Sequence, residues 1–134
     1  MSETATTIAK NWMRNIADTA ANHEFDQHMD LISRKVNITG IPDFENIGYD
    51  DWATQCKHEF ENNIIKSISY QGLKLQAHTD TRIMFKTYEA VEATDGTISA
   101  QGVEVLLENE QGTWRVVQER ILPIDEVKHD KLLD

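Results

Sequence analysis

Basic side chains are scarce in this sequence: 13 Lys plus Arg stand against 23 Asp plus Glu, a formal charge of −10. Nucleic acid and anionic membrane surfaces each demand a basic face, so neither is expected as a partner. The single cysteine, Cys56, excludes an intrachain disulfide and a thiolate metal cage. No run of roughly 20 apolar residues is present to span a bilayer. The start, Met1-Ser2-Glu3-Thr4-Ala5-Thr6-Thr7, lacks the basic and apolar stretches of a secretory signal. A protein made and kept in the cytoplasm is the expectation. The two prolines, Pro42 and Pro123, read as punctuation between elements. There is no glycine-rich phosphate loop, and no serine stands in a nucleophile-elbow sequence.

What is there reads as one domain over 1–134, with an ordered core at about 7–123 and a polar tail over 124–134. The chain is 40% apolar and 27% charged, a globular composition, and its length is enough for one core. From Thr7 to Asn22, Ile8, Trp12, Ile16 and Ala20 recur every four residues, the stripe of an amphipathic helix. His23 to Leu31 reads as a short second helix and Arg34 to Thr39 as a strand. A loop follows over 40–48. Tyr49 to Asn62 reads as a third helix, with Trp52, Cys56 and Phe60 on its stripe. The period then changes to that of strands over Ile64–Ala77, Thr81–Ala93, Thr97–Glu110 and Thr113–Ile121, with turns at Asp95-Gly96 and Gln111-Gly112. Helices followed by an antiparallel meander predict an α+β domain, with the helices on one face of the sheet.

The Asp95-Gly96 hairpin fixes a register. A turn with a glycine bulge sets Arg82 opposite Glu108 and Lys86 opposite Glu104, and matches Phe85 with Val105 on the other face. The alternative sets Thr87 opposite Glu104, so the bulged form is preferred. Its consequence is that Glu89 lies opposite Gln101 on the helix-covered face, beside Thr87. A carboxylate there either lies at the frayed end of the sheet and points to water, or must be paired, protonated or bathed by a cavity between sheet and helices. The last hairpin is open between two registers. A two-residue turn places Trp114, Val116, Gln118 and Arg120 inward, whereas a bulged turn places Arg115, Val117, Glu119 and Ile121 there. The first is favoured because it buries a tryptophan and brings Arg120 toward Glu89.

The histidines of His23-Glu24-Phe25-Asp26-Gln27-His28 are five apart, about 140° around a helix, and cannot share a metal. His28 alone reaches a cleft only if it faces inward; a helix-surface position is the expectation for it, and also for His58, His78 and His129. Cys56 reads as a small hydrophobe on its helix. No metal site or cofactor is expected.

This order of elements resembles the nuclear transport factor 2-like superfamily, which includes ketosteroid isomerases, scytalone dehydratases and SnoaL-type polyketide cyclases. The matching pieces are Trp12 to Leu31 (through Asn22-His23-Glu24-Phe25-Asp26), Val36–Ile38, Tyr49–Phe60 and Gly112-Thr113-Trp114-Arg115-Val116-Val117, within about Thr7 to Pro123. The resemblance implies a strongly curved, mainly antiparallel sheet wrapped round a deep apolar pocket, often in a homodimer formed through the outer sheet face. That face carries Met84, Tyr88, Ala90 and Leu106 among its charge pairs. The isomerase base is an aspartate just before a proline, where this chain has Ile38-Thr39-Gly40-Ile41-Pro42. The isomerase oxyanion-hole tyrosine aligns near Ile16, and nothing indicates the paired pocket histidines of scytalone dehydratases.

The functional expectation is a small pocket protein that binds a small apolar ligand. As an enzyme it would perform isomerase-, dehydratase- or cyclase-type acid/base chemistry, with Glu89 as acid/base and Arg120 or Gln118 as its polar partner. Trp12, Ile16, Tyr49, Trp52, Thr87 and Gln101 would line the ligand site. The alternatives are a non-catalytic binding module and a dimerising accessory protein with a collapsed interior.

Overall fold

The structure, a computed structural model, describes residues 4–41 and 46–132. The basic-poor start at Met1–Glu3, Pro42 with the loop residues Asp43–Glu45, and the last two residues of the tail lie outside them. Helix α1 spans Ala5–Ala21 and begins where the Thr4 hydroxyl accepts the Thr7 amide at 3.1 Å, satisfying one of the free donors of the first turn. Its apolar stripe is buried as expected, through Ala9, Trp12, Met13, Ile16 and Ala20. Helix α2 (Phe25–Met29) is a single short turn, and α3 runs over Tyr49–Glu61.

Five strands follow the expected bounds closely: β1 Ile32–Thr39, β2 Ile65–His78, β3 Arg82–Ala93, β4 Ile98–Glu110 and β5 Thr113–Ile121. Their order in the sheet is β1-β5-β4-β3-β2, with β1 parallel to β5 and the other pairs antiparallel. The first strand therefore sits beside the last. Breaks in register at three points along the β2–β3 pairing and one in β4–β5 add twist and curl the sheet round the helices. Between the layers, Phe85, Ile83, Leu107, Val105 and Val116 are sealed from water beneath Trp12 and Met13. The Trp12 ring meets Phe85 edge-on and donates its indole N–H to the Leu31 carbonyl at 3.1 Å.

The β3–β4 register is the bulged one. Arg82 pairs with Glu108, Phe85 with Val105, and Glu89 with Gln101. Gly96 supplies the turn's left-handed residue at φ 92°, and the Ala93 amide donates to the Thr97 carbonyl.

The last hairpin corrects the sequence reading. Its two-residue turn is as favoured, with Glu110 opposite Thr113 and Asn109 opposite Trp114. Leu107 faces Val116, but Leu106 faces Gln118, so Val117 is an extra residue on β5. That bulge reverses the faces beyond it. Glu119 and Ile121 turn inward, opposite Val105 and Val103, while Gln118 and Arg120 turn outward.

The segment read as a polar tail carries a fourth helix, α4, over Ile124–His129. It lies on the outer face of the sheet, where Val127, Leu122 and Leu132 form a small apolar cluster against Tyr88. Around that cluster, Arg120 binds both Glu104 and Glu126, and Lys86 reaches Glu126 and Asp130 at 2.8 and 2.7 Å. Among the described residues no helix is long and apolar enough to cross a membrane.

Candidate functional site

A cavity of about 190 Å³ lies between the helices and the inner face of the sheet. Helix α1 supplies Trp12 and Ile16 to its wall, and α3 supplies Trp52, Cys56 and Phe60. The strands contribute Tyr70 from β2, Glu89 from β3 and Glu119 from β5. Each strand residue is there because of register: Tyr70 is opposite Glu89, and the Val117 bulge swings Glu119 to the same side.

The polar groups are unequally satisfied. The Tyr70 hydroxyl donates to Glu89 Oε2 at 3.0 Å. Burial drives the Glu89 carboxyl above its ordinary range, and the tyrosine hydrogen bond offsets part of that rise. Glu119, only 7% exposed, has no hydrogen bond or ion pair among the described residues. No described side-chain nitrogen or oxygen that is sealed from solvent lacks a partner, so the Glu119 oxygens open onto the cavity. Burial, and then repulsion from Glu89, hold its carboxyl well above the usual carboxylate range. Burial and the two nearby carboxyls likewise hold the Tyr70 phenol as its neutral donor form.

His28, expected on the surface, is buried at 2% exposure and lines the cavity. The Thr19 hydroxyl spends its proton on the Asn15 carbonyl at 2.7 Å, so at 2.8 Å it accepts the Nδ1 proton of His28. Nε2 is then left as an acceptor. Burial lowers the imidazole pKa to about 4, which keeps the ring neutral near pH 7. Burial pushes the Cys56 thiol up to about 12, far from a reactive thiolate.

Of the residues expected at the site, Glu89, Trp12, Ile16 and Trp52 share the cavity. The others do not. Arg120 and Gln118 are on the far face of the sheet because of the β5 bulge, with Arg120 engaged by Glu104 and Glu126 and Gln118 exposed. Thr87 faces inward but is fully buried, its hydroxyl donating to the Gly72 carbonyl where β2 bulges. Gln101 is opposite Glu89 yet exposed, beyond the reach of the helices. Tyr49 packs under the Arg34 guanidinium, 4.7 Å from its ring centre, and lines a separate surface groove with Phe25 and Met29.

The SnoaL-like domain family model matches residues 9–121, nearly the whole span of α1 to β5. The chain belongs to the SnoaL-like domain family. Solved structures share this SnoaL-like fold at low identity. A nuclear transport factor 2-like protein from Cytophaga hutchinsonii superposes with a TM-score of 0.73 at 7% identity, covering 89% of this chain and 98% of that one. A nuclear transport factor 2-like protein of unknown function from Shewanella oneidensis gives 0.71 at 10% identity, covering 88% and 98%. A protein from Novosphingobium aromaticivorans, provisionally described as a scytalone dehydratase, gives 0.69 at 10%, covering 87% and 81%. No curated protein matches the chain in sequence.

Sequence reasoning missed His28 and Tyr70 at the site, and it held Glu119 only as the less favoured of two registers. Glu119 had a usable signal. Glu104, already assigned to the outer face, finds its complementary charge in Arg120 only if β5 changes phase at the adjacent valines Val116 and Val117. Tyr70 had none, because the bulges of β2 erase its alternation.

Proposed function

We propose that the SnoaL-like cavity is a small-molecule site in which Glu89 and Glu119 perform acid/base chemistry of the isomerase, dehydratase or cyclase type. The observation carrying this reading is that both carboxyls open onto one cavity with no lysine or arginine among the described residues of its wall. Two such groups resist ionising together, and the environment that raises both favours one proton held between them. The carboxylate member then accepts a proton from a substrate carbon or hydroxyl, and the protonated member donates one to the substrate's oxygen. Tyr70 fixes the Glu89 oxygen it binds, and Trp12, Ile16 and Trp52 supply the apolar wall for the ligand body. A cytoplasmic location and a homodimer through the part of the outer sheet face that α4 leaves open belong to the same proposal. Ile98, 65% exposed on that face, supports the latter.

The test is deuterium exchange next to the carbonyl of small cyclic ketones in heavy water, followed by NMR. Wild-type protein should accelerate exchange, and Glu89→Gln and Glu119→Gln should each slow it by about 100-fold or more, the usual contribution of a positioned acid or base. Exchange at the uncatalysed rate with wild type, or at an unaltered rate in both variants, overturns the reading.

A further inference from the structure

The cavity's titratable groups come from five of the elements around it: His28 from α2, Cys56 and Glu59 from α3, Tyr70 from β2, Glu89 from β3 and Glu119 from β5. Three are acids and none is Lys or Arg. A neighbouring groove of about 540 Å³ shares Trp52, Cys56 and Glu59 with the cavity and adds Asp51, again with no basic residue among the described residues of its wall. The cavity and the groove beside it are thus both acidic, on a chain of formal charge −10. Fields of this kind concentrate cations and repel anions.

At the inner end, Glu119 is a carboxyl more than nine-tenths buried, aimed into the cavity and without a partner among the described residues. A buried carboxylate is costly unless paired, and a ligand cation is the partner its surroundings lack. The acids and His28 do not converge closely enough to hold a metal; among the described residues no such cluster exists. The remaining wall is apolar, made of the aromatic residues Trp12, Trp52 and Phe60 together with Ile16, Ile65, Ile68 and Val91. Aromatic faces combined with carboxylates are the chemistry that recognises an organic ammonium.

We infer that the natural ligand carries a protonated amine on a compact apolar body, with the ammonium seated at Glu119 in a wall that also holds Trp12 and Trp52. This rests on the small-molecule reading of the cavity and adds the charge of its occupant. The size fits a single ring, since cavities of about 150 Å³ bind benzene.

The experiment titrates the intact protein with benzylamine, benzyl alcohol and benzoate at neutral pH. Binding is read by calorimetry and by the Trp12 and Trp52 indole signals in NMR. Benzylamine should bind at least tenfold more tightly than benzyl alcohol, and benzoate should bind most weakly. Glu119→Gln, isosteric and checked for folding in the same spectra, should weaken benzylamine at least tenfold more than it weakens benzyl alcohol. Equal binding of amine and alcohol, or an amine preference that survives Glu119→Gln, overturns the inference while leaving a small-molecule pocket in place. Absence of all three ligands from the cavity overturns both.

Discussion

Buried titratable residues pull the stability of this SnoaL-like domain in opposite directions with pH. His28 has its pKa lowered to about 4 from 6.5, so its contribution is intact above pH 6.5 and is lost as pH falls toward 4. That difference corresponds to roughly 3 kcal/mol. Glu119 is the reverse case. Its folded pKa is raised above the ordinary 4.5, so it imposes no penalty below that value and a growing one as pH rises through the folded pKa. Glu119→Gln is therefore expected to be more stable than wild type at pH 8, with the advantage vanishing near pH 4. Paired thermal melts across that range check it, and a constant difference contradicts it. Glu89 has the same sign, tempered by the Tyr70 hydrogen bond. At this scale the sequence was half legible. Alternation along β3 was enough to place Glu89. His28 was hidden because a helix of only five residues shows too little periodicity to distinguish its buried face from its exposed one.

Among the elements, α4 departs most from its sequence reading. Its signals were present but sparse: Pro123 before the first turn, Asp125 and Glu126 within it, Lys128 and His129 at the end, and three apolar residues spaced by five. The counterpart on the sheet is Gly102, where a methyl group would collide with the Val127 side chain. Gly102→Ala should cost roughly 1–3 kcal/mol by overpacking. Val127→Ala alone should cost about 1–2 kcal/mol for the buried methyls it removes. Combined, the two should cost less than their sum by about 1 kcal/mol, because the smaller side chain admits the added methyl. Urea titrations of the four proteins measure this coupling, and strict additivity would show that the helix does not rest on that glycine. The β5 bulge is the other element-scale lesson. Charge complementarity assigned the β3–β4 register correctly because it was applied there. Carried one strand further, from Glu104 to Arg120, it would have identified the phase change that brings Glu119 to the site.

At the level of the molecule, the order of elements from α1 to β5 was legible to within a few residues, because the shift from a period of 3.6 to one of 2 is abrupt after Asn62. The placement of β1 was not, since the sequence reading gave that strand no partner and it pairs in parallel with β5. Nothing in local patterning encodes that long-range partnership. Such topologies close slowly, and refolding is expected in the millisecond-to-second range. If β5 docking belongs to the rate-limiting step, Val116→Ala should slow refolding more than Val127→Ala. Stopped-flow fluorescence of the tryptophans compares them, and equal slowing would place β5 outside that step. During synthesis on a ribosome, the same neighbourhood of first and last strands has a temporal meaning. The segment Ile32–Thr39 emerges early and has no edge to join until Thr113–Ile121 leaves the exit tunnel, so the nascent domain passes most of its translation with that seam unsewn.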